Sequence, residues 1–142
     1  VTTALAGLDQ DTYCHSQRVQ RLAVRIGIIM GLNSEELTRL SLGSLLHDVG
    51  KVKGEIAWWN RILVGLIRRF FPRLRTKWGK RGEGGLNHAL YVDLHHPSRG
   101  AYMAESLGID PTVVSLIKHH HDEPNERTNL ELALLQNADA KN

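Results

Sequence analysis

Residues 45–51 of the chain have the sequence LLHDVGK, and this short stretch decides the fold. It closes an apolar segment whose leucines recur at helical spacing, which predicts a helix over 34–48. On a regular helix, the adjacent side chains of His47 and Asp48 would diverge by about 100°. Gly50 indicates that the helix ends here, so that both side chains can turn toward one site. The stretch therefore predicts a helix end that presents two potential metal ligands.

Outward from this stretch, helical periodicity continues through most of the chain. The pattern predicts helices over 9–31, 34–48, 97–107 and 110–121, and a last one from about residue 129. Asn33 with Glu36 resembles a capping box, and Asp110 before Pro111 is a typical helix start. No alternating pattern indicates a strand. We therefore predict an all-α fold, a compact bundle of about five to seven helices.

The composition fits one globular domain over residues 1–142. The formal net charge of +3 is too small to indicate a nucleic-acid partner by itself. The single cysteine, Cys14, excludes an intrachain disulfide and favours a reducing, cytoplasmic location. No apolar run reaches the roughly 18 residues of a membrane span, so no transmembrane segment is predicted.

Residues 56–85 differ from the rest of the chain, and we call them the insert. They combine aromatic and aliphatic side chains with a basic stretch. From Arg61 to Arg81 the sequence contains eight basic residues and no acidic residue. Pro72 predicts a break in the helix, and residues 79–85 a loop. Three hypotheses compete: a helix packed on the core with a solvated basic face, contact with a membrane surface through 56–81, or contact with RNA through the same residues.

Histidine and aspartate residues are the chemical signal of the chain, which has eight histidines. The predicted helices and their ends carry a set of candidate metal ligands: Asp11, His15, His47, Asp48, His96, His120, His121 and Asp139. Each alone is weak, and Asp11 would serve equally well as an N-cap. Together they form a nitrogen and oxygen ligand set without thiolate, which suits Fe, Mn, Zn, Co or Ni.

Five strings of the sequence resemble the HD superfamily of metal-dependent phosphohydrolases. They are HSQRV at 15–19, LLHDVGK at 45–51, HPSRGA at 96–101, LIKHHHD at 116–122 and LLQNADA at 134–140. Besides the histidines of the first two strings, the sequence has His96, His120 and His121. These three resemble the ligands of the two-metal subgroup, as in HD-GYP cyclic dinucleotide phosphodiesterases. After His121, however, the sequence is DEPNERTN, without a GYP-like loop. The same spacing also resembles the HD domain of RNase Y-type endoribonucleases.

The resemblance implies an HD-type helical bundle with two divalent metal ions. One ion would be held by His15, His47, Asp48 and Asp139, and the second by Asp48, His96, His120 and His121. Asp11 lies where some members place an acidic ligand for a further metal. Asp48 would bridge the two ions.

The implied activity is hydrolysis of a phosphoester by a metal-bridged hydroxide. Lys51 and Arg18 are then candidates for direct phosphate contacts. The substrate would be a nucleotide, a cyclic dinucleotide or another phosphoester. Two alternatives stay open, an RNase Y-like endoribonuclease domain and a non-catalytic regulatory or signalling HD module.

Overall fold

The structure, a computed structural model, describes residues 5–51, 58–82, 84–125 and 129–142. Within these ranges all regular secondary structure is helical, which confirms the predicted all-α class. The helices are α1 (Gln10–Ile29), α2 (Ser34–Leu46), α3 (Trp58–Phe70), α4 (Pro72–Trp78), α5 (Gly85–Ser106), α6 (Pro111–His119) and α7 (Leu130–Ala140). Among the described residues, no helix is long and apolar enough to cross a membrane.

Local capping determines where several helices begin. The predicted capping box is present: Asn33 Oδ1 accepts from the backbone N–H of Glu36 at 3.0 Å, and Glu36 Oε2 accepts from Asn33 N–H at 2.7 Å. At α1 the N-cap is Asp9, which accepts from the N–H of Thr12 at 3.0 Å. The alternative interpretation of Asp11 as the N-cap is wrong, because Asp11 lies inside the first turn.

Helices α1, α2, α6 and α7 share one part of the core, in which Val19, Leu40, Leu116 and Leu135 are buried. A second part joins the end of α2 to α5 and α6. These contacts bring the C-terminal ends of α2 and α6 close to the middle of α5. The residues that follow α2 and α6 therefore meet at one site.

Helix α5 is longer than the sequence pattern predicted. It begins at Gly85 instead of near residue 97 and contains Pro97 in its interior. A mid-helix proline leaves the carbonyl of the residue four positions earlier, Asp93, without its helical donor. That carbonyl instead accepts from Arg75 Nη2 and from the ring of His96, each at 2.8 Å. These replacement donors explain how the helix continues through the proline.

The insert forms α3 and α4, which meet at the predicted break before Pro72. Val64 of α3 packs with Ala89 and Leu90 of α5, and the three side chains form a small core of their own. This side of α3 thus packs on α5, as the first of the three hypotheses predicted, through a cluster separate from the main core. The other side is not simply basic, because several large apolar side chains are exposed there. Residues 56, 57 and 83 of the insert lie outside the described residues.

Candidate metal centre

The packing of five helices brings seven of the eight predicted ligands to one site. His15 comes from α1 and Asp139 from α7, while His96 lies in the middle of α5. The remaining four follow helix ends: His47 and Asp48 after α2, and His120 and His121 after α6. Because α2 and α6 both stop at this point, adjacent residues in each pair can face the same site.

The first group of ligand atoms surrounds Oδ2 of Asp48. His15 Nε2 lies 4.0 Å and His47 Nε2 3.6 Å from this oxygen. Asp139 Oδ1 completes the group, at 3.0 Å from His15 Nε2 and 3.5 Å from His47 Nε2. Two imidazoles and two carboxylates therefore converge, and the ligand atoms of His15, His47 and Asp48 all lie within 4.8 Å of one another.

The second group lies on the other oxygen of the same carboxylate. His96 Nε2 is 3.2 Å from Asp48 Oδ1 and 3.1 Å from His120 Nε2. The ligand atoms of His96, His120 and His121 all lie within 4.8 Å of one another. Asp48 thus turns one oxygen toward each group.

Backbone carbonyls fix the orientation of three of these imidazoles. Nδ1–H of His47 donates to Ser44 O at 2.7 Å, that of His96 to Asp93 O at 2.8 Å, and that of His120 to Ile117 O at 2.6 Å. A carbonyl can only accept, so Nδ1 carries the proton, and in the neutral ring Nε2 is left with its lone pair. Such a hydrogen bond orients metal-ligating histidines in proteins.

The carboxylates of the first group are strongly acidic. Burial raises the pKa of Asp48, but Lys51 and His47 outweigh burial and hold it well below its usual range. Burial likewise raises the pKa of Asp139, but the hydrogen bond with His15 and the nearby imidazole of His47 lower it well below the usual range. For His47 burial lowers the pKa, yet the charges of Asp48 and Asp139 leave it raised.

The imidazoles of the second group favour the neutral form. Burial, helped by the Lys51 charge, lowers the pKa of His96. Burial and the neighbouring imidazoles hold the pKa of His120 well below its usual range. Burial lowers the pKa of His121 to about 4, with a further contribution from His96. Neutral imidazole is the form that binds a metal ion, so this group needs little deprotonation before binding.

The other three predicted site residues occupy different places. Lys51 reaches the centre, with Nζ 2.6 Å from Asp48 Oδ1. Asp11 is exposed and lines the same cavity, but its carboxylate does not belong to either group of converging ligand atoms. Arg18 is exposed, and it is not among the residues that line the cavity. Its proposed phosphate contact stays a prediction.

The centre opens into a cavity of about 720 Å³. Sequence reasoning missed part of its wall, which the insert supplies through Val64, Gly65 and Arg68 of α3. It also missed Asp93, a buried carboxylate whose Oδ2 lies 2.7 Å from Arg75 Nε. The sequence did contain a signal for Asp93. It precedes His96 by three residues and so lies on the same side of a helix.

The residues fit a divalent metal. Five imidazoles and two carboxylates supply oxygen and nitrogen donors of the kind that divalent transition metals prefer. The buried Nε2 of His47 has no hydrogen-bond partner of good geometry among the described residues. A buried polar atom without a partner is costly, and coordination of an ion would satisfy it. The two groups His15, His47 and Asp48 and His96, His120 and His121 could therefore hold metal, with Asp139 beside the first group.

An all-α domain with clustered histidine and aspartate ligands defines a class of helical metal-binding domains. The chain belongs to the HD domain family, whose family model matches residues 12–141. Proteins of this superfamily are in general metal-dependent phosphohydrolases that bind divalent ions. No curated protein and no solved structure matches the chain.

Proposed function

We propose that this chain is a phosphohydrolase that uses two divalent metal ions to cleave a phosphoester bond in a nucleotide, a cyclic dinucleotide or a related substrate. One observation carries the proposal: the buried carboxylate of Asp48 presents Oδ2 to His15 and His47 and Oδ1 to His96. A carboxylate placed in this way would supply one oxygen to each of the two groups of ligands.

The charge of the cavity supports a need for metal. Among the described residues, its lining includes six aspartates, Asp9, Asp11, Asp48, Asp93, Asp122 and Asp139, but only two of the type Lys or Arg, Lys51 and Arg68. Without cations such a cavity would repel a phosphate group. Two divalent ions would bring the formal charges of these residues into balance. The ions are therefore what makes the cavity suitable for an anionic substrate.

The chain's own residues have distinct proposed roles. His15, His47 and Asp139 would hold one ion and His96, His120 and His121 the other, with Asp48 between them. When bound, the ions would supply Lewis acidity, which lowers the pKa of water and offsets the negative charge on the phosphate.

Two cationic side chains would assist in binding the substrate. Lys51 would present its ammonium group to a phosphate oxygen beside Asp48. Arg68 lines the cavity from α3, with Nη1 3.9 Å from Asp93 Oδ1 and half of its side chain exposed. It is therefore placed to meet a second anionic group of the substrate.

An RNase Y-like endoribonuclease is the second candidate. The position of Arg68 in the cavity wall favours it. A long substrate that leaves the cavity along α3 would meet the exposed Arg69 and Arg73 as well. A non-catalytic regulatory module is disfavoured, because such a module has no need of seven converging ligands. The part of the cavity wall that the insert supplies would determine which substrate the protein accepts.

Turnover of substrates by the metal-loaded protein tests the proposal. We expect hydrolysis of a generic phosphodiester, and a comparison of cyclic dinucleotides, nucleotides and short RNA identifies the class. His121→Ala should abolish turnover. His119→Ala is the matched control, because His119 is not among the residues that line the cavity and its Nδ1 pairs with Asp122 Oδ2 at 2.6 Å. Equal activity in both variants, or no hydrolysis with any metal, would overturn the proposal.

A further inference from the structure

Helix α3 exposes an apolar stripe to solvent. Ile62, Leu63, Leu66 and Phe70 recur at helical spacing, and the exposed fractions of these residues are 57%, 43%, 49% and 66%. Phe71 continues the stripe beyond the end of the helix, with 59% exposed. Single exposed apolar residues are ordinary on a soluble protein, but a contiguous set of large ones marks an interaction surface.

The orientation of α3 is the reverse of that in an ordinary surface helix. A surface helix turns its apolar side to the core and its polar side to water. In α3 the side toward α5 and the cavity carries Val64 and Arg68, whereas most of the large apolar side chains lie on the opposite side. The more apolar side of α3 therefore has no covering element among the described residues.

Exposed basic side chains lie next to the stripe along the chain. Arg69 lies beside it on α3, and Arg73 and Lys77 follow on α4, all three exposed. Lys80 and Arg81 continue this positive surface, also exposed. Residues 58–82 contain no acidic residue in the sequence. A partner of this face must accept large apolar groups together with the positive charge that adjoins them.

We propose that the outer face of α3, together with the basic residues of α4, docks on a membrane surface that contains anionic lipid. Anionic headgroups would attract the arginines and lysines, and the apolar stripe would enter the region between headgroups and acyl chains. The proposal does not depend on the metal centre, since none of the docking residues is a candidate metal ligand.

The aliphatic side chains favour a lipid surface over the other partners. Nucleic acid would be bound by basic and aromatic side chains, but Ile62, Leu63 and Leu66 cannot stack on bases. A second copy of the chain would bring two such positive faces together, and their charges would repel. An anionic lipid surface satisfies both the large apolar groups of the face and the positive charge that adjoins them.

Tryptophan fluorescence gives a direct assay, because all three tryptophans of the chain, Trp58, Trp59 and Trp78, belong to the insert. We expect vesicles of phosphatidylcholine with phosphatidylglycerol to shift the emission to shorter wavelength and to carry the protein down on centrifugation. Vesicles of phosphatidylcholine alone should bind much less. Raising the salt concentration should weaken the binding to anionic vesicles, because salt screens the charges.

Two double variants separate the apolar and ionic contributions. Ile62→Ser with Leu66→Ser should weaken vesicle binding by at least about tenfold through the lost apolar area. Arg69→Gln with Arg73→Gln should weaken it by about fivefold for each charge removed. Ile29→Ser is the matched control, because Ile29 is 82% exposed at the end of α1, outside the insert.

The proposal is overturned if the wild-type protein does not bind anionic vesicles. It is also overturned if Ile29→Ser weakens binding as much as the double variants do. Single-stranded RNA that binds while vesicles do not would assign the face to nucleic acid instead. A dimer in light scattering that Ile62→Ser with Leu66→Ser dissociates, without any vesicle binding, would assign it to a second copy of the chain.

Discussion

Gly50 lies so close to the backbone of His96 that a β-carbon at position 50 would be 2.0 Å from the His96 carbonyl oxygen. The same β-carbon would be 2.8 Å from the backbone nitrogen of Gly100. Gly50 is not among the glycines with positive φ, so the position needs glycine for space and not for conformation. This contact holds the turn that carries His47 and Asp48 against α5.

Gly50→Ala should destabilise the protein strongly. The added methyl group meets backbone atoms, which cannot move aside, so the free energy of unfolding should fall by about 3 kcal/mol. Urea denaturation measures the change. Gly65→Ala is the control, since nothing lies within 4 Å of its added β-carbon and the residue is inside α3. It should be neutral or stabilising by about 0.5–1 kcal/mol. Equal stability of the two variants would contradict the close contact.

Arg75→Gln should weaken metal binding although Arg75 is not a ligand. Its Nη2 donates to Asp93 O, the carbonyl that also holds Nδ1–H of His96. Loss of such a supporting hydrogen bond typically lowers metal affinity by about 10–100-fold. Calorimetric metal titration measures the effect, with the exposed neighbour Arg73→Gln as control. An affinity that is unchanged in Arg75→Gln would show that the insert does not support His96.

Lys51→Gln should separate catalysis from metal binding. The ammonium group lies 2.6 Å from Asp48 Oδ1 and so competes with a cation for this oxygen. Its removal should raise metal affinity, while loss of a phosphate contact should lower kcat/KM by about 10–100-fold. Steady-state kinetics and metal titration are both needed. Lys118→Gln, an exposed lysine on α6, should change neither quantity. Full activity in Lys51→Gln would contradict its proposed role.

The metal-free protein should be less stable at pH 5 than at pH 7.5. His96, His120 and His121 have lowered pKa values in the folded state, so below their ordinary pKa of about 6.5 the unfolded chain binds more protons. The free energy of unfolding should therefore decrease as the pH falls below about 6.5.

His47 acts in the opposite direction in the same experiment, because its pKa is raised. Its contribution is lost as the pH rises, but it is one group against three. Asp48 and Asp139 have lowered pKa values, and their contribution is lost only below their ordinary range near 4. Urea denaturation with chelator present measures the difference, and equal or greater stability at pH 5 would contradict these pKa directions.

Local sequence patterns were sufficient to predict most of the fold. The capping box at Asn33 and the break at Pro72 depend on neighbouring residues, so the sequence displays them directly. The predicted start of α5, near residue 97, lies about twelve residues after the observed start at Gly85. Its continuation through Pro97 depends on Arg75, a residue distant in the chain that supplies a replacement hydrogen bond to Asp93 O. No local pattern contains that information.

The candidate site was predictable where spacing and residue type coincide. His15, His47, Asp48 and Asp139 converge as the resemblance implied, although their roles as ligands stay predictions. The side of the cavity formed by the insert was not predicted. One hypothesis predicted a helix with a solvated basic face, but sequence alone does not show which side of α3 meets α5.

Metal counting in Asp48→Asn tests most directly whether Asp48 is a ligand shared by two metal ions. Protein loaded with Mn²⁺ and separated from free metal should carry two ions per chain in the wild type. Asp48→Asn should retain at most one and lose phosphodiester hydrolysis, with Asp122→Asn, in the same cavity wall, as the control that keeps both. Two ions and full activity in Asp48→Asn would contradict the account.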